Sequence, residues 1–124
     1  MNWPTVDLAV AINDAVRDRH EWFDEPDDVE RLTDALSQIV DERDAVAAAA
    51  RLAFRVARAQ AFAEGNKRTA LLMARWMLDN NDQDGEHILP SDDIAFAELL
   101  VKAASGVDVE PELIQLLTRR RTTK

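Results

Sequence analysis

The stretch AVAAAARLAFRVARAQAF, residues 45–62, restricts the possible folds of this chain more than any other. Alanine favours helix strongly and adds almost no width, so a run of it lets neighbouring helices approach closely. The pattern predicts a helix over about Arg43 to Phe62 at the centre of the molecule. Apolar residues elsewhere also recur at helical spacing. Val6 to about His20 reads as a first helix, with Val6, Val10, Ile12, Ala15 and Val16 as core positions. A second starts at Pro26, where a first turn tolerates proline, and runs to about Val40. Asp27 and Asp28 suit its positive end, and Val29, Leu32, Leu36 and Ile39 its buried face. The fourth covers about Lys67 to Asn80 and buries some of Leu71, Leu72, Ala74, Trp76 and Leu78. The turn-rich NNDQDGEHILP follows, with a short extended piece expected at His87 to Leu89. Ser91 and two aspartates begin another helix, which Gly106 stops. Pro111 opens a last helix through about Leu117, and residues 118–124 read as a frayed basic tail, a possible contact for an acidic partner. No repeat or linker interrupts the pattern. The expectation is an all-α single domain over residues 1–124, a bundle of about six helices packed around the third.

At 124 residues the chain can bury a core without covalent staples. It contains no cysteine, which excludes disulfides and thiolate metal sites. No apolar stretch is long enough to span a bilayer, and MNWPTVDLAV lacks a basic start followed by an apolar run, so a cytoplasmic protein is expected. The net charge of −9 argues against general nucleic-acid binding, which needs cations to displace counterions. The charge is uneven, however. Acids crowd the first half, as in FDEPDDVERLTD, while Arg51, Arg55, Arg58, Lys67, Arg68 and Arg75 gather around residues 60–68. That patch suggests either a local anion site or ordinary pairing with carboxylates on helix surfaces.

The sequence EGNKRT, residues 64–69, separates the two central helices. The fourth helix begins with backbone N–H groups that have no intrahelical partner and with the positive end of the helix dipole, and phosphates bind such ends. Gly65 permits a tight turn or close approach to a ligand. Asn66 supplies amide donors, Lys67 a point charge, and Arg68 a planar fork matched to phosphate oxygens. Thr69 completes the candidate phosphate-binding set. Glu64 would repel phosphate unless a cation lay between them, and Mg²⁺ is the natural bridge. A capped helix start with solvated charges is the plainer alternative.

QAFAEGNKRTAL resembles the signature of the Fic/Doc superfamily, and in particular its Doc (death-on-curing) branch. That signature runs His-x-Phe-x-(Asp/Glu)-Gly-Asn-Gly-Arg. Phe62, Glu64, Gly65, Asn66 and Arg68 match it. Lys67 in place of glycine, and Leu71 where AMP-transferring members carry a second arginine, are similar to Doc. ELLVKAASGVDVEPELIQLL resembles the C-terminal part of Doc proteins. The resemblance implies a Fic-type helical fold, a nucleoside triphosphate such as ATP with Mg²⁺, and transfer of a phosphate or nucleotide to a protein hydroxyl. Doc-type members are toxins of toxin–antitoxin pairs that phosphorylate a translation elongation factor, and their antitoxin blocks them through a flexible C-terminal segment. The resemblance also implies that Phe62 anchors the loop, Glu64 holds the metal, and Asn66, Lys67 and Arg68 orient and neutralise phosphates.

Gln60 stands where the family has the histidine that takes the proton from the attacking hydroxyl. An amide can hydrogen-bond a hydroxyl but cannot deprotonate it near neutral pH. Losing a general base costs about 10²- to 10⁴-fold. His20 and His87, the only histidines, are poorly placed to substitute: one ends the first helix, the other sits in a polar turn. Three readings follow: a Doc-like transferase with weakened or altered chemistry, a nucleotide-binding pseudoenzyme acting through a partner, and a helical interaction module without a ligand. Trp3, Trp22 and Phe23 serve either core packing or a contact surface.

Overall fold

The computed structural model describes residues 1–16, 28–62 and 65–122. Among these residues the chain is all-α, with seven helices and no strand: α1 Val6–Val16, α2 Glu30–Ser37, α3 Ala45–Ala59, α4 Asn66–Asp79, α5 Gly85–Ile88, α6 Ile94–Ala104 and α7 Glu110–Thr122. The alanine-rich α3 is the hub, packing against α2, α4, α6 and α7. Ala48, Ala49, Ala50, Ala53 and Ala57 have no exposed surface, as close helix approach requires. Leu52 and Val56 of α3 meet Met73, Met77 and Leu78 of α4, Phe96 and Leu100 of α6, and Leu113 and Leu117 of α7 in one apolar cluster. Asp44 caps α3 by accepting from the Val46 amide at 3.0 Å. Among the described residues no helix is long and apolar enough to cross a membrane.

Several elements depart from the sequence expectation. The α1 stripe runs through Ala9 and Asn13, both fully buried, whereas Ala15 is exposed because residues two apart do not share a helix face. The start expected at Pro26 and Asp27 lies outside the described residues. Val29 is 37% exposed, since it precedes the first turn of α2, while Leu32 and Ile39 are buried. Residues 85–88 form a helical turn in place of the extended piece. Asp84 caps it by accepting from the His87 amide at 3.2 Å. Gly85 is required there: a Cβ would lie 2.1 Å from Asp79 Oδ1 and 2.7 Å from Arg75 Nε.

The basic tail is also ordered as far as Thr122, where a frayed segment was expected from residue 118. Long-range contacts of its arginines hold it. Arg120 forks onto Asp93 of the α5–α6 connection, and Arg121 reaches Asp44 Oδ1 at 2.8 Å. Three arginines in the last turn also complement the negative end of the helix dipole. Trp3 is half-buried against the core; Trp22, Phe23 and His20 fall outside the described residues.

Candidate functional site

Helix α3 ends because Gln60 turns into the left-handed region, at φ 50°. Its side chain folds back: Nε2 donates to the Ala57 carbonyl at 2.9 Å, and Oε1 accepts from Asn66 Nδ2 at 3.4 Å. Phe62 is buried in the core. Asn66 does more inside the loop than outside it. Its Oδ1 accepts from the Phe62 amide at 3.1 Å and its Nδ2 donates to the Phe62 carbonyl at 2.8 Å. With the side chain 8% exposed and committed to backbone, Asn66 shapes the loop. Gly65 takes φ 76°, a region that disfavours side chains, and opens α4.

Two neighbours brace this loop from outside the motif, and the sequence pattern did not mark either. Asn13 of α1 donates from Nδ2 to the Thr69 hydroxyl at 3.2 Å, and a Cβ on Gly65 would come within 3.0 Å of the same nitrogen. Thr69 is therefore buried, with its hydroxyl engaged by Asn13 of α1. Arg31 of α2 donates to the carbonyls of Ala59 and Gln60 at 3.4 and 3.3 Å and pairs with Asp28 at 3.2 Å. The Asp28 amide donates to the Ala61 carbonyl at 2.6 Å. A buried asparagine within an apolar helical stripe was the one visible signal for Asn13.

The first turn of α4 concentrates positive charge. It contains no acidic residue, and its first backbone bond runs from the Thr69 amide to the Gly65 carbonyl at 2.9 Å. Among the described residues the amides of Asn66, Lys67 and Arg68 meet no acceptor, and the exposed side chains of Lys67 and Arg68 meet no carboxylate. The other cations of the central patch are engaged. Arg51 pairs with Glu42 at 3.2 Å, Arg55 with Glu110 at 3.2 Å and Arg75 with Asp79 at 3.2 Å. Arg58 lies over the Phe54 ring, 5.5 Å from its centre. Ordinary pairing with surface carboxylates therefore accounts for Arg51, Arg55 and Arg75. Most of the arginines are surface partners, whereas Lys67 and Arg68 at the helix mouth meet no carboxylate among the described residues.

Beside those two cations lies a groove of about 320 Å³ between α4 and α6. Leu71, Ala97, Leu100 and Val101 make its apolar walls, and Ser91 to Asp93 its polar end. Sequence reasoning did not find it. Its signal was the exposure of large apolar side chains on α6: Ile94 at 73% and Val101 at 52%. A cavity of this size falls within the range of small-molecule sites.

Glu64, the expected metal ligand, lies outside the described residues. Among the described residues no three acidic or histidine side chains converge as a metal site. His87 sits on α5, where Nε2 lies 3.1 Å from the Arg120 carbonyl, in the contact with α7 rather than at the loop.

Comparison with curated proteins returns no match. The family model described as "Fic/DOC family" matches residues 6–78, which span α1 to nearly the end of α4 and include the whole loop from Gln60 to Thr69. That match covers more than half of the 124 residues, so the chain belongs to the Fic/DOC family.

Proposed function

We propose that the mouth of α4 binds the phosphates of a nucleoside triphosphate, and that the α4–α6 groove receives the nucleoside. The observation that carries this reading is the set of first-turn amides and the Lys67 and Arg68 side chains, all without partners among the described residues, opening beside an apolar cavity. Phosphate oxygens fit these groups by chemistry: N–H donors at a helix start, a point charge and a planar fork. Gly65 lets the ligand come close to the backbone. Mg²⁺ would be held by Glu64 together with phosphate oxygens and water, and when bound it would neutralise part of the triphosphate charge.

The reaction class is phosphoryl transfer to a protein hydroxyl, with transfer of AMP the lesser alternative. The hydroxyl oxygen forms a bond to the terminal phosphorus as the bond to the nucleoside diphosphate oxygen breaks. Lys67 and Arg68 offset charge on the transferring and leaving oxygens, and Asn66 keeps the loop in the shape that aims the amides. Gln60 can orient the attacking hydroxyl, whose proton leaves to water. Transfer is therefore slow while binding is intact. The folding of the Gln60 amide onto Ala57 and Asn66 gives independent weight to a second reading, a nucleotide-binding pseudoenzyme that acts through a partner.

The Doc-like features, Lys67 before Arg68 and Leu71 three residues later, place the chain with toxins of toxin–antitoxin pairs in this proposal. The acceptor is then a translation elongation factor and the regulator an antitoxin protein. Calorimetry with Mg–ATP tests the site: binding that weakens in Arg68→Ala and Lys67→Ala supports it, and no binding removes it. Transfer of labelled phosphate to the elongation factor, with Gln60→His beside the unmodified protein, separates slow enzyme from pseudoenzyme. Growth arrest on expression of Gln60→His, relieved by a small neighbouring gene product, would establish the toxin assignment.

A further inference from the structure

The last turn of α7 carries two arginines that hold the starts of two other helices. Arg120 donates from Nη2 to Asp93 Oδ1 at 3.1 Å, and from Nη1 to Asp93 Oδ2 and to the Ile88 carbonyl, the latter at 3.2 Å. Asp93 is the N-cap of α6 and accepts from the Phe96 amide at 3.1 Å. Arg121 instead reaches Asp44, the N-cap of α3. The two contacts differ in what they border. Asp93 and the adjoining Asp92 and Ile94 line the groove beside Lys67 and Arg68. Asp44 stands at the other end of α3 from Gln60, about 22 Å away for a 15-residue helix.

We propose that Arg120 is a positioning residue for the groove. Its fork fixes Asp93, and through it the first turn of α6, at the spacing from α4 that grips the nucleoside end of the ligand. The proposal rests on the nucleotide reading above. A planar fork meeting both carboxylate oxygens sets orientation as well as distance, which a single donor does not. The Asp93 side chain is 4% exposed, so removing the guanidinium leaves a desolvated carboxylate without its counter-charge, and α6 must shift to rehydrate it. Arg121 meets Asp44 through a single donor at the surface, away from the groove, and serves as the internal control for loss of an arginine–aspartate contact in the same turn.

The test compares Arg120→Leu, Arg120→Lys and Arg121→Leu by amide hydrogen exchange and by calorimetry with Mg–ATP and with Mg–tripolyphosphate, which has no nucleoside. Arg120→Leu is expected to speed exchange over residues 94–97 and to weaken Mg–ATP about tenfold, while tripolyphosphate binds as before. Arg120→Lys should restore part of the ATP affinity, and Arg121→Leu should leave both affinities unchanged. If Arg120→Leu does not fold, Arg120→Lys carries the same comparison with a smaller loss. Equal weakening of ATP by the Arg120 and Arg121 variants, or equal weakening of both ligands by Arg120→Leu, overturns the proposal. An unmodified protein that binds ATP no better than tripolyphosphate overturns it too, yet leaves the phosphate site standing. Failure to bind either ligand removes the proposed function itself.

Discussion

Helices α3 and α6 begin with an aspartate whose carboxylate accepts a first-turn amide: Asp44 from Val46 and Asp93 from Phe96. Helix α4 begins with a left-handed glycine, makes no side-chain cap bond, and follows with Lys67 and Arg68. Each difference runs against helix stability. An aspartate N-cap is better than a glycine by only a few tenths of a kcal/mol, and cations at the positive end of the dipole are unfavourable by about 0.3–1 kcal/mol each. An anion bound at α4 would satisfy the amides and the cations together, and would stabilise the fold by mass action. The contrast separates helix starts closed by a side-chain cap from one that is not.

The largest effect should come from the residue that opens this loop. If the proposed transfer site is right, Gln60→His is expected to raise phosphate transfer from labelled ATP at least tenfold and up to about 10²- to 10⁴-fold, because it would supply a general base. Histidine is among the residues that tolerate the left-handed backbone at this position. An unchanged rate would mean that the mouth of α4 differs from its capped neighbours for some reason other than transfer.

Making α4 resemble its neighbours is the next probe. Lys67→Glu puts a carboxylate in the first turn, and should weaken Mg–ATP by about 10²-fold in calorimetry while leaving the melting temperature unchanged or slightly raised. A variant that loses stability along with affinity would show that Lys67 serves the fold. Asn66→Ala should lower unfolding free energy by about 2 kcal/mol in urea titration, since it removes the side chain that bonds both the amide and the carbonyl of buried Phe62. The smallest effect belongs to Asp44→Ala: about 1 kcal/mol of stability, with nucleotide affinity unaltered. Any shift in affinity there would mean that the two kinds of helix start are coupled through α3.

The central helices and the loop between them were legible because their signals are local. The alanine run, Gly65 and the two cations each act within a few residues of where they stand in the chain. Legibility failed where distant residues decide. Residues 85–88 are helical because Gly85 fits beneath Arg75 and Asp79 and Asp84 caps the turn. The basic tail is helical because Asp44 and Asp93 receive it. The chemistry of Asn66 suggested a ligand donor, but geometry commits it to Phe62, and nothing in the types of the six central cations indicated which would find carboxylates. The groove was hidden for a similar reason: its walls come from α4 and from α6, some thirty residues apart in the chain.

The alanines of α3 make the usual mutational survey blind at the middle of the molecule. Truncating side chains to a methyl group cannot report on Ala48, Ala49, Ala50, Ala53 or Ala57, where nothing remains to remove. Their contribution becomes visible on enlargement, because an added methylene must push apart helices already in contact, at about 1–3 kcal/mol each. The one step smaller, to glycine, acts through the backbone instead, at about 1 kcal/mol of helix propensity each, so the axis of this bundle is sensitive in both directions for different reasons.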